Sequence, residues 1–127
     1  MLTKAQVQHY EQVRSQLDSL YSELSALAKK APDAPINVFK LKIVNQRLEA
    51  ANTLLVDIHK PFEDFSRFDE ASLPTSSDVV LVLSQYLNSL EGWRSANVVK
   101  KDYDWVWNTK ERDYRANAPS RFRPEEN

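Results

Sequence analysis

Tyr10, Val13, Leu17, Leu20, Leu24 and Leu27 alternate steps of three and four residues, and Leu41, Val44, Leu48, Ala51, Leu55 and Ile58 repeat the alternation. This spacing keeps an apolar stripe on one side of a slightly underwound helix, the pattern of a coiled-coil seam. A helix carrying such a stripe needs a partner to bury it. Between the two seams lies Ala31-Pro32-Asp33-Ala34-Pro35-Ile36, where each proline removes an amide donor and pushes its predecessor out of helical geometry. The pattern therefore predicts two helices, at about 4–30 and 37–59, folded back on each other as an antiparallel hairpin.

Start signals agree with these bounds. Thr3 followed by Gln6 has the form of a capping box, and Asn37 can cap the second helix. Folding back on the proline turn sets Leu27 against Leu41, Leu24 against Val44, Leu20 against Leu48, Leu17 against Ala51, Val13 against Leu55 and Tyr10 against Ile58. Glu23 and Arg47 then flank the seam on one side, a pair that contributes only about 0.2–1 kcal/mol when exposed.

Phe39, Ile43, Ala50 and Leu54 lie off the second seam and widen its apolar face, so a third helix is expected to pack there. Its candidate runs over about 78–91, with Ser77 as cap, Asp78 at the positive end of the dipole, and Val79, Val80, Val82, Leu83, Tyr86, Leu87 and Leu90 as a broad apolar face. Gly92, the one glycine, is the expected end or kink. From about 95 to 116 there is no further Pro or Gly, and Val98, Val99, Tyr103, Val106 and Trp107 recur near helical spacing, which predicts a fourth or continuing helix. Phe62, Phe65 and Phe68, at steps of three, suggest a tight helical turn plugging one end of the bundle. The expected fold is thus an all-α bundle in one domain over 1–116, followed by a polar, flexible C-terminal tail over 117–127.

Composition narrows the function classes. At 127 residues, with 42% hydrophobic and 28% charged side chains, the chain suits one ordinary globular domain. A single glycine disfavours hairpin-rich β folds and phosphate-cradling loops. The absence of cysteine excludes disulfide scaffolds, thiol nucleophiles and cysteine zinc sites, and fits a cytoplasmic location. The start of the chain lacks the charged-then-apolar run of a signal peptide, and the longest aliphatic stretch, Val79 to Leu83, is too short to span a bilayer, so no membrane association is expected. A net charge of −1 provides no general attraction for nucleic acid.

Catalytic chemistry has little to work with. His9 and His59 stand outside any Glu-x-x-His or His-x-x-x-His pattern, and Asp57, His59, Glu63 and Asp64 make the only local cluster of possible metal ligands. A solvated helix end, with His59 facing the negative dipole, accounts for that cluster better. No framed serine nucleophile and no nucleotide loop is present, so neither a catalytic residue, a metal nor a cofactor is assigned.

The unusual stretch is C-terminal. Tyr103-Asp104-Trp105-Val106-Trp107 is followed by Lys110, Arg112, Tyr114 and Arg115, residue types enriched at binding hot spots. On a helix Trp105 and Trp107 would point about 200° apart, so both cannot enter one core. Tyr103, Trp105, Trp107, Arg112, Tyr114 and Arg115 are accordingly the candidate partner-binding residues. Stacking of single-stranded bases is a weaker reading, because five basic side chains from Trp105 onward meet four acidic ones. The leading expectation is a non-enzymatic protein-interaction or assembly module that forms a homodimer. Its rivals are a small enzyme or ligand-binding bundle with a pocket near Tyr86, Trp93 and Tyr103, and a nucleic-acid accessory factor.

Overall fold

The computed structural model describes residues 1–111 and 113–120. Three helices form the body: α1 (Lys4–Lys30), α2 (Val38–Asn52) and α3 (Ser76–Ala96). Two strands follow, β1 (Val98–Lys101) and β2 (Asp104–Trp107), paired antiparallel with Val98 opposite Trp107 and Lys101 opposite Asp104. The expected all-α bundle is therefore corrected: where a fourth helix was expected over 95–116, the chain makes a β-hairpin.

The physical reason lies in the side chains of that segment. Val98, Val99 and Val106 are β-branched and lose side-chain freedom in a helix. In a strand, residues two apart share a face, so Trp105 and Trp107 can turn to the helices together, which a helix forbids. Trp107 is buried and Trp105 packs half-buried on the core. The two-residue turn requires a positive φ that glycine usually supplies; here Asp102 adopts it at 57°. A third extended segment joins the hairpin, because Trp107 donates its amide to Tyr114 O at 2.9 Å and Ala116 donates to Trp105 O at 3.0 Å, on either side of a bridge between Val106 and Arg115.

Each helix start is capped by a side chain. Thr3 and Gln6 exchange hydrogen bonds in a capping box, Asn37 accepts from the Lys40 amide, and Thr75 accepts from the Asp78 amide. The third helix thus starts at Ser76 instead of about 78 and runs through Gly92 to Ala96. Nothing in the packing requires a glycine there, since a Cβ would meet only His59 Nδ1 at an ordinary 3.9 Å.

The seam residues Val13, Leu17, Leu24, Leu41, Val44, Leu48, Ala51 and Leu55 are all buried. However, α1 makes its largest contact with α3 rather than α2. Val79, Leu83, Tyr86, Leu90 and Trp93 form a further three-four stripe on α3, and all five are buried. The hairpin partner expected for Tyr10 is also wrong. Helix α2 stops at Asn52, a 3-10 turn follows at Asp57–His59, and Ile58 is 80% exposed. Tyr10 instead stacks on Trp93, with ring centres 5.3 Å apart, and meets Trp107 edge-on at 5.2 Å. Glu23 and Arg47 form no ion pair with each other among the described residues.

The connector between α2 and α3 is irregular, so the three phenylalanines do not form the expected helical turn. They still pack on the core, in a chain of edge-on contacts from Phe62 to Phe65 to Phe68. Two asparagines seven residues apart on α2 hold this connector. Asn45 donates to Phe68 O and accepts from Phe68 N, both at 2.9 Å, while Asn52 donates to Ser66 O at 2.9 Å. At the other end of the body, Ser76 Oγ donates to Ala31 O at 2.6 Å, and the amides of Ser76 and Ser77 bond Ala34 O and Pro32 O. The proline turn is thereby fastened to the start of α3. No helix among the described residues is long and apolar enough to cross a membrane.

Candidate functional site

Helices α1 and α3 run antiparallel, so Tyr10 and Arg14 near the start of one meet Trp93, Glu91 and Arg94 near the end of the other. Spacing does the rest. Tyr10 and Arg14 are one turn apart on α1, and Arg14 donates to the Tyr10 hydroxyl at 3.0 Å. Glu91 and Arg94 are one turn apart on α3, and Arg94 grips both carboxylate oxygens, at 2.9 and 2.8 Å. Arg14 then crosses between helices to Glu91 Oε1 at 3.2 Å and reaches Asp18 with its Nε at 3.3 Å. One carboxylate, Glu91, ties together two helices and two guanidinium groups.

These residues line an open cleft of about 710 Å³ between α1 and the segment 115–117, with Trp107 in its wall. A second cleft of about 410 Å³ continues it toward Lys4 and shares Glu11, Trp107 and Arg115. Burial pushes the Glu91 carboxyl up, but the hydrogen bonds and charges of Arg94 and Arg14 outweigh it and hold the carboxyl below its ordinary value. Burial pushes the Tyr10 phenol up against the opposing pull of Arg14. Arg94 is raised, first by its hydrogen bond to Glu91. Burial lowers Arg14, but Tyr10, Asp18 and Glu91 together raise it above its ordinary value. All of these directions keep Glu91 and its arginines ionised and Tyr10 neutral at pH 7. A general acid or base poised near neutrality is what the network lacks.

The expected partner-binding residues are divided by the fold. Tyr103 sits at the hairpin tip, 95% exposed, whereas Trp107 belongs to the core at 4% exposure. Trp105 and Tyr114 are half-buried against the core, and Arg115 is exposed. Arg112 lies outside the described residues. On the outer face of the hairpin, Lys101 pairs with Asp113 at 3.0 Å and Arg115 with Asp104 at 3.3 Å. Both pairs are mostly exposed, so each adds about 0–1 kcal/mol and mainly cancels local positive charge.

Tyr86, Trp93 and Tyr103, around which a pocket was expected, line neither of these two clefts. Tyr86 is fully buried and spends its hydroxyl on Asn52 Oδ1 at 2.8 Å, while Tyr103 stands at the tip of the hairpin. Among the described residues no three His, Asp or Glu side chains are grouped to hold a metal ion. Reading the chain as a heptad seam missed Arg14, Glu91 and Arg94 altogether. The signal was present as Arg14/Asp18 at four residues and Glu91/Arg94 at three, but such pairs are common on solvated helix faces. Only the antiparallel docking of α1 on α3 makes them one network. The chain matches no protein-family model, no curated protein and no solved structure.

Proposed function

We propose that this chain is a non-enzymatic protein-interaction module, and that the partner its surface fits is a second copy of itself. The observation that carries this reading is the turn after α2, where Val56 and Ile58 are 52% and 80% exposed. Ile58 borders a shallow cleft of about 370 Å³ with Asn88, Ser89 and Gly92 of α3. An isoleucine gains roughly 1.5–3 kcal/mol when buried, and the fold leaves this one in water. Exposed Tyr103 on the hairpin tip offers a second apolar anchor with a polar end.

The polar cleft supports a structural rather than a catalytic use, because Glu91 and both of its arginines are already paired with one another. Matching of Lys101 and Arg115 by acidic neighbours likewise favours protein over nucleic acid. Sedimentation velocity on the full chain across micromolar concentrations tests the reading. The expected result is a concentration-dependent dimer that Ile58→Ser converts to monomer, with helix content unchanged. A monomer at every concentration, or a dimer indifferent to both Ile58→Ser and Tyr103→Ser, removes self-association through these surfaces. Trp107→Ala is a poor probe of binding because its first effect falls on the core.

A further inference from the structure

Residues 113–120 lie along the outer edge of β2, where Asp113 and Arg115 also pair with Lys101 and Asp104. Two backbone bonds join them to β2, and Tyr114 and Ala116 are their contributions to the core. Toward α1 they face the two open clefts, where Arg115 lines both. Because Tyr114 O and Ala116 N already point at β2, the alternation of an antiparallel edge turns the Arg115 amide and carbonyl away from β2.

The far end of the segment is fastened by a different kind of contact. With its Nε and one Nη2 bond committed to Glu91, Arg94 uses Nη1 to reach Asn117 O at 2.8 Å and Nη2 to reach Ala118 O at 2.7 Å. Its side chain is 13% exposed. Next along α3, fully buried Ser95 donates to Glu91 Oε2 at 3.3 Å and accepts from the Ser120 amide at 3.0 Å. The Ser95 and Ser120 hydroxyls also meet at 2.9 Å, a contact in which either can donate. Glu91 therefore orients both groups that grip the segment, and Arg14 holds Glu91 from α1.

We propose that residues 113–120 form a strap that opens as a unit while the helices stay folded, with Arg94 and Ser95 as its latch. Opening uncovers Trp107 and the adjoining Tyr10 face, and joins the two clefts into one shelf along α1. The contrast in fastening carries the argument. The helical body is held by buried apolar side chains, whereas the strap end is held by hydrogen bonds to its backbone, which water can replace. Segments of this kind open locally at a lower free energy than the whole molecule.

Native-state hydrogen exchange on the full chain tests it, read at the amides of Trp107, Ala116 and Ser120 against those of Leu83 and Leu90 in α3. In the unsubstituted protein the three strap-dependent amides are expected to exchange at least roughly tenfold faster than the α3 amides. Arg94→Lys keeps a positive charge beside Glu91 but loses the fork that reaches two carbonyls at once. It is expected to speed the three amides by roughly tenfold more, the equivalent of a hydrogen bond to a charged donor, with α3 little changed. Ser95→Ala should act in the same direction with a smaller factor, and iodide should quench more tryptophan fluorescence in both variants. Equal protection at all five amides in the unsubstituted protein overturns the proposal. So does an acceleration that Arg94→Lys and Ser95→Ala spread evenly over strap and α3, because that marks a brace of the whole fold.

Discussion

The helical body and the C-terminal segment use opposite means to hold themselves in place. In the body, Leu17, Leu41, Val44, Leu48, Leu83 and Leu90 are fully buried, and stability comes from area removed from water. In the segment from β1 to Ser120, aromatic side chains enter the core from one face, but position is set by strand pairing and by the Glu91-centred network. Apolar packing tolerates changes of pH and depends on volume. Charge-assisted hydrogen bonds depend on ionisation and geometry. The two regions should therefore fail under different perturbations.

The sharpest way to break the comparison is to remove volume from the body. Leu48→Ala, at a fully buried seam position, should cost about 2–5 kcal/mol in urea unfolding, and its effect should be the same at pH 7 and pH 5. A loss well under 1 kcal/mol would mean that the site collapses around the smaller side chain, and that the seam is not closely packed.

Glu91→Gln probes the other region. It keeps the shape but removes the charge between Arg14 and Arg94, with an expected loss of about 1–3 kcal/mol at pH 7 for a partly exposed carboxylate bonded to charged donors. The folded carboxyl lies below its ordinary value, so its stabilising contribution is present above about pH 4.3 and is lost as the pH falls through the folded value. The groups facing it are Arg94 and Ser95 from α3 and Arg14, with Tyr10 behind it, from α1. Urea titrations between pH 7 and pH 3 should show the gap between the two proteins closing on the acid side. A gap of constant size would assign the loss to shape rather than charge.

The smallest expected effect is a gain. Gly92→Ala adds a Cβ in the interior of α3 at an ordinary distance from His59, and should raise stability by about 0.5–1 kcal/mol. A loss instead would reveal that the turn carrying Ile58 needs more room than its present separation from α3.

Both helix starts before residue 60 could be read locally, because Thr3, Gln6 and Asn37 act on amides within three residues of themselves. The ends were harder. Asn52 bonds Ser66 O and the Tyr86 hydroxyl, and the Thr53 hydroxyl bonds back to Ala50 O, where α2 stops before its apolar spacing does. In the candidate site, the tryptophans were legible as a conflict with helix geometry, and that conflict was evidence for a strand. Scarcity of glycine concealed the hairpin because Asp102 takes the positive φ in its place.

By itself the sequence determined what depends on near neighbours: helix caps, the proline break, and which faces of the first two helices are apolar. Tertiary structure alone decided that α1 favours α3 over α2, that Trp107 enters the core, and that Glu91 joins Arg14 to Arg94 and, through Arg94, to the carbonyls of Asn117 and Ala118. The physical reason is separation along the chain. A stripe of leucines specifies that it must be buried, and any apolar surface of suitable shape satisfies it. A guanidinium bonded to two carbonyls more than twenty residues away depends on where the whole fold places them.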